Sequence, residues 1–495
     1  MSASLREPYR PNRNIVKFAL AGGVVALSVT GLLLSYGTTD NFELFGVPTA
    51  SRTLNQLTAV LLTCMALVVP LTSNLYTPKL VRLYVTHPLI VSGLLVLVGS
   101  QLLLMATTFF TPQQMVFRVL AAAVSLAYLL VLTTTLPFLY GISQFLRPSY
   151  FVPMLTRRGV QQLARLQRDG TTQPGVSRGL FETVDVLTNI ALTGMNRSDR
   201  QLVLLALSAL HTLLRATIAD GSGDRRGWRR GRKFFVPGLA REGQDYLARE
   251  EVWPEAYVLA QMLKVMEVAT KRQHEILGEL ASQLADTAKQ AFALRRDEIV
   301  ELHVMAFNTL MRDAIEEQDL RRFQNLSYHY RLLIEIFCED PARMNGSAHH
   351  LIHYAGMAAK QGPFYALETV IYDLGEAVLS VGRRSEDAAI ALIRHSTGNF
   401  LLASIAQGSQ TARVGWRTLI RLYWEARAAG LERLARQLHD DYLRDRAAHR
   451  EQLSRALGEN RELHYEFNDR LMRFAYMSPA AVDLATRYIT EGTEN

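Results

Sequence analysis

Residues Pro88 to Phe110 read PLIVSGLLVLVGSQLLLMATTFF, a run that no Asp, Glu, Lys, Arg or His interrupts. A membrane-crossing helix needs about 20 mostly apolar residues, because the hydrocarbon core is roughly 30 Å thick and a helix rises ~1.5 Å per residue. This run meets that length and is read as a span. Three more runs nearby do the same. They are Ile15 to Tyr36 (IVKFALAGGVVALSVTGLLLSY), Leu54 to Thr72 (LNQLTAVLLTCMALVVPLT), and Val116 to Phe138, which can continue to Leu146. The first has a basic lead-in but an apolar run longer than a signal peptide's, with no clear cleavage site, and is read as a retained anchor.

Orientation follows from the flanking bases. Arg6, Arg10 and Arg13 precede the first span, and Lys79 and Arg82 lie between the second and third. Arg147, Arg157, Arg158, Arg165 and Arg168 follow the fourth. Asp40 and Glu43 lie in the connection after the first span, against Arg52 alone. The alternation places both termini in the cytoplasm.

The chain has 495 residues and a formal net charge of +8, carried almost entirely by arginine. A basic balance suits anionic lipid or nucleic acid, and four spans make lipid the expected neighbour, not nucleic acid. Cys64 and Cys338 have no metal-type spacing and no reason to pair. Within the spans the polar residues are Asn55, Gln56, Thr58, Thr63, Ser100, Gln101 and Thr133 to Thr135. These either line a pore or bond to neighbouring helices.

From Phe151 onward apolar residues recur at three- and four-residue spacing, as in Leu259, Leu263 and Met266. The expected fold is therefore all-α. A four-helix transmembrane domain (1–150) precedes a juxtamembrane helical region with a basic loop (151–242) and a cytoplasmic helical array (243–495), with a solenoid as one form of that array. A linker is expected over Asp169 to Gly179.

Two segments carry a resemblance. Pro70 to Pro88 (PLTSNLYTPKLVRLYVTHP) leaves the second span through a polar turn. Phe181 to Arg215 (FETVDVLTNIALTGMNRSDRQLVLLALSALHTLLR) joins a Val-Asp helix to a Leu-rich one. With the four N-terminal spans, these resemble an uncharacterised family of bacterial predicted membrane proteins. The likeness covers roughly the first half of the chain, with some around Trp253 to Thr270. It departs at Asn196-Arg197-Ser198-Asp199, where that family has Asn-Asp-Pro. The resemblance implies a bacterial inner membrane and no activity.

Four candidate sites emerge. Asp185 and Asn189 share a helix face, and with Asn196 and Asp199 they form either a small polar site or a hydrogen-bond network with a cap. Ser198 and Gln201 are spaced as a capping box. Arg225, Arg226, Arg229, Arg230, Arg232 and Lys233 surround Trp228, as an anionic-lipid contact or a solvated basic loop. His349 and His353 have a metal-ligand spacing, with Cys338, Glu339 and Asp340 the nearest further donors, but no glutamate stands between them as in a zinc protease. No nucleophile elbow, phosphate loop or kinase signature is present. The expected role is a membrane protein with a cytoplasmic scaffold, sensor or regulatory domain. It would need no cofactor and would assemble as a homo-oligomer with a cytoplasmic protein partner. The alternatives are a subunit of an oligomeric channel and, behind that, a metal-dependent membrane enzyme.

Overall fold

The computed structural model describes residues 47–75, 81, 85, 88–111, 115–144, 147–169, 174–220, 236, 238–269, 275–361, 365–463 and 473–491. The span expected over Ile15 to Tyr36, most of Pro70 to Pro88 beyond the second span, and the basic loop from Gly221 to Lys233 lie outside these residues. The described residues are predominantly helical, with no strand among them. It divides into two compact units, with residues 1–157, 185–197 and 201–206 in the first and the remainder in the second.

The first unit holds α1 (Val47–Leu75), α2 (Pro88–Thr107) and α3 (Met115–Gln144), which pack on one another. Leu54, Leu61, Met65 and Val68 of α1 meet Ile90 and Leu97 of α2 and Val131 and Phe138 of α3. A Cβ on Gly93 would stand 2.2 Å from the Phe138 ring, so the missing side chain lets that ring lie against α2. The outward faces are equally apolar: Val60, Leu67, Leu95, Leu102 and Val119 are all more than half exposed. An exposed surface of this kind is what a lipid-facing helix presents, since lipid tails are as apolar as the side chains.

Next come α4 (Pro148–Asp169), α5 (Pro174–Asn196) and α6 (Arg200–Asp220). The linker expected to reach Gly179 is shorter than that. Helix α5 already begins at Pro174, and proline suits the first turn because its missing N–H has no helical partner there. Four described helices are long and apolar enough to cross a membrane, over Ser51–Pro70, Ile90–Thr107, Met115–Leu132 and Arg200–Ala219. The last differs in kind. Some 56% of it is buried within the protein, against 19–22% for the other three. Its His211 and Arg215 both reach Asp286, at 3.2 and 3.4 Å. Helix α6 is thus the most enclosed of the four. The capping box expected at Ser198 does not form either. Ser198 has φ +58°, left-handed, whereas an N-cap needs extended backbone, and α6 begins after Asp199.

The rest of the second unit comprises α7 (Arg241–Arg249), α8 (Trp253–Ala269), α9 (Glu275–Ala293), α10 (Asp297–Glu316), α11 (Leu320–Ile336), α12 (Pro341–Gln361), α13 (Tyr365–Gly382), α14 (Glu386–Leu392), α15 (Gly398–Ala406), α16 (Ser409–Ala428), α17 (Glu432–Tyr442), α18 (Arg446–Gly458) and α19 (Pro479–Glu491). From α8 to α12 each helix packs on its successor and on the next but one. The result is two layers. One runs α9, α11, α13, α16 and α19; the other runs α8, α10, α12, α14 and α17. Stacked helix pairs bury a continuous apolar seam this way, because no pair covers its own inner face alone. Helices α14 and α15 join through a π-helical turn, Ile393–Thr397. Gly398 follows it because a Cβ there would lie 2.1 Å from the Tyr442 hydroxyl and 2.6 Å from the Ile393 carbonyl oxygen.

Buried polar groups tie the layers together. Arg322 is 2% exposed and lies 3.8 Å from Asp313 and 3.7 Å from Glu317. His303 is fully buried between the Ile299 carbonyl and the Thr287 hydroxyl, each 2.8 Å away, and burial pushes its pKa down to about 4. His449, also fully buried, stacks on Tyr488 with Tyr423 edge-on, and burial, aided by His439, pushes it down to about 4.

Two predictions follow from this packing. Gly398→Ala should lower the urea midpoint of the detergent-solubilised chain, followed by tryptophan fluorescence, by an amount equivalent to roughly 1–3 kcal/mol, because one of the clashing atoms is main chain. Both histidines are neutral when folded and take up a proton first when unfolded. Their stabilisation is therefore complete above pH 6.5, falls as pH drops toward about 4, and is constant below. Each contributes on the order of 3 kcal/mol. The urea midpoint should fall between pH 7.5 and 5.0, and His303→Gln with His449→Phe should flatten that slope.

Candidate functional site

Helix α16 carries Arg413, Arg417, Arg421 and Glu425 at four-residue spacing, one polar stripe beside the buried Leu419, Leu422 and Tyr423. Helix α13 repeats the device with Glu368, Tyr372 and Glu376. These helices are neighbours in one layer, with α11 beyond. Where these two stripes approach α11 lies a cleft of about 520 Å³, walled by α11 (Asn325, Tyr328, His329, Arg331), α13 (Tyr372, Asp373, Glu376), Arg421 of α16 and the non-helical Arg473, Phe474 and Tyr476.

The walls are held by specific bonds. The Ser327 hydroxyl donates to Asp373 Oδ2 at 2.5 Å. The guanidinium of Arg421 pairs with Glu376 and donates through Nε to the Tyr476 carbonyl at 2.6 Å. Arg331 sits 4.7 Å over the Tyr328 ring and 3.3 Å from Glu335. Burial raises the Glu335 carboxyl, and the Ser380 hydroxyl and Arg331 oppose that shift. Burial also raises the Tyr372 phenol, with Glu368 adding to it. That phenol stays protonated at any physiological pH.

Residues Arg473 to Ser478 lie across this face as a non-helical strap that turns at Phe474 and Ala475, where the Tyr476 N–H donates to the Arg473 carbonyl at 3.1 Å. Phe474 stacks on Tyr372, with centroids 5.3 Å apart and planes at 17°. Asn460 holds Met477 by both main-chain groups, its Nδ2 donating to the carbonyl at 3.1 Å and its Oδ1 accepting from the N–H at 2.9 Å. Glu425 accepts from the N–H of Ser478 at 2.5 Å and from its hydroxyl at 3.1 Å. Ser478 then leads into α19. Arg473 Nη1 donates to the Glu459 carbonyl at 2.6 Å. The face thus holds the strap largely through its main-chain atoms.

The residues singled out in the sequence lie elsewhere. Asp185 and Asn189 are half-buried on α5, while Asn196 and Asp199 are exposed around the turn that follows. Helical rise sets Asp185 roughly 16 Å from Asn196 along the axis. His349, His350 and His353 are exposed on α12. His349 Nδ1 donates to the Asn345 carbonyl at 2.8 Å and lies 3.2 Å from Ser396 Oγ. Among the described residues no group of three or more His, Cys, Asp or Glu side chains is placed to hold a metal ion. Arg225, Arg226, Arg229, Arg230, Arg232 and Lys233 lie outside the described residues. In the first unit, Thr63, Ser100 and Thr135 donate to carbonyls of their own helices, and Gln101 donates to Thr58 at 3.0 Å.

No protein-family model, no curated protein and no solved structure matches the chain. Of the resemblance noted on the sequence, the structure supports the long apolar helices alone.

Asn460→Ala removes both bonds to Met477 but leaves the layers intact. Hydrogen exchange at the Met477 amide should speed up at least tenfold, with trypsin cleavage after Arg473 increased and the melting of the array little changed.

Proposed function

We propose that the chain is a multi-pass protein of a bacterial inner membrane whose helical array acts, without catalysis, as a cytoplasmic scaffold that docks a partner protein. The observation that carries this reading is the cleft on the α11, α13 and α16 layer. Arginine and tyrosine converge in it, the pairing most frequent where protein partners bind tightly. The bare apolar faces of α1 to α3 support the membrane assignment, and the Arg147, Arg157 and Arg158 cluster beside α4 supports a cytoplasmic array. The basic loop around Trp228 would add attraction to anionic headgroups. For an oligomeric pore, the described hydroxyls offer little, since they are bonded to their own helices.

A photocrosslinking residue in place of Tyr328, in the membrane-embedded full chain, should form a discrete protein adduct. The same residue in place of Met305, exposed on the opposite layer, should not. Equal labelling from both positions, or none from position 328, would count against a scaffold. So would a reporter fused after Asn495 that responds only outside the cytoplasm.

A further inference from the structure

Helix α4 is the first element after the membrane-crossing α3, and three residues separate the two. Its sides divide sharply. Phe151, Val152, Leu155, Leu163 and Leu166 are each 1–3% exposed. Gly159 lies among them, where a Cβ would stand 2.8 Å from Leu213 of α6 and 3.3 Å from Thr183 of α5. That side of α4 is taken up by its neighbours. The other side begins with Tyr150 and Met154, which pack against the apolar seam shared by α1, α2 and α3. At about 100° per residue, Arg157, Arg158, Gln161 and Arg165 fall with those two side chains in one arc of roughly 100°. All four are exposed. The stripe is apolar where it meets the membrane helices and basic where it leaves them.

Nothing acidic on α4 offsets that charge. From Arg147 to Arg168 the chain has no Asp or Glu. Among the described residues Arg158 and Arg165 form no ion pair. The array treats its arginines differently: Arg343, Arg413 and Arg433 each meet a carboxylate. The stripe on α4 therefore wants an anion from outside the chain. Its covalent tie says which one is at hand. Three residues reach on the order of 10 Å, so α4 starts at the leaflet where α3 ends. The phosphates of that leaflet are the nearest dense source of negative charge, and a guanidinium offers them paired donors.

We propose that the Arg157, Arg158 and Arg165 face of α4 seats anionic phospholipid headgroups of the leaflet at which α3 ends, with Gln161 as a further donor among them. Each base near an anionic leaflet favours it about fivefold. This rests on the membrane reading and adds the class of lipid.

The test reconstitutes the full chain in phosphatidylcholine vesicles. The preference for spin-labelled phosphatidylglycerol over spin-labelled phosphatidylcholine is read from the motionally restricted component of the spectrum. It should be at least twofold in dilute buffer and fall toward one in about 0.5 M salt. Arg157→Gln, Arg158→Gln and Arg165→Gln together should remove at least half of it with the melting curve unchanged, while Lys at the same three positions should keep most of it. A preference that survives the Gln substitutions, or is lost equally with Lys, would overturn the proposal. So would an equal loss when Arg312, Arg321 and Arg383, exposed in the array, are changed to Gln instead. Loss of the preference in about 10 mM inorganic phosphate at constant ionic strength would also overturn it, and would assign these arginines to a free anion. A chain that an alkaline carbonate wash strips from the vesicles fails the membrane reading. One that stays embedded and prefers neither lipid fails this inference alone.

Discussion

An α-helix satisfies its own main-chain hydrogen bonds, so its side chains alone decide which solvent it tolerates. The two units use that freedom in opposite ways. In α1 to α3, leucine and valine fill the seam between helices and also cover the outside. In the array the outside is charged and the apolar residues are shared between two layers. Helix α6 is the informative intermediate. Its composition would let it cross a bilayer, yet its leucines are enclosed and its one histidine reaches Asp286. Composition gives permission to enter a membrane; packing decides whether the helix needs to.

Inside the array, each layer must close over polar atoms without stranding them. Arg322 between Asp313 and Glu317, His303 between Ile299 and Thr287, and Tyr330 donating to Asn308 at 2.7 Å are three solutions. Each joins elements adjacent in sequence, and so fixes the register of successive helices. Removing one partner of such a set leaves a buried polar group exposed to an apolar surround, which costs more than the bond itself contributes. The bonds around the strap are different. They bridge 17 to 55 residues of sequence and end on main-chain atoms at the surface of a layer.

Much of this architecture was legible in the residues. The apolar runs at Leu54, Pro88 and Val116 pointed to helices at those places, and three- to four-residue periodicity after Phe151 pointed to an all-helical remainder. The alternation of layers was not legible, because it depends on which helix faces pair and no fixed repeat marks them. The site was hidden for a related reason. Attention fell on dense clusters such as Arg225 to Lys233 and His349 to His353, while the cleft is assembled from single residues on α11, α13 and α16. The signal that was present is the stripe Arg413, Arg417, Arg421, Glu425. It reads as a solvated face until Asn460 and Tyr476 are known to lie against it. Asp199, not Ser198, precedes α6 because the chain turns left-handed at Ser198, a conformation that side-chain spacing does not reveal.

The wide turn at Ile393–Thr397 has a bearing on how this chain tolerates change in length. A π-helical turn holds one residue more than an α-helical turn would, and each helical residue advances the rotation by about 100°. Losing a single residue from that turn would let the backbone run on as a regular helix, and would swing everything from Gly398 to Ala406 by that angle. Gly398 would leave its place beneath Tyr442, and Leu401 would rotate out of the core toward water. The array can absorb insertions between its helices, but at this point its length is set to the residue.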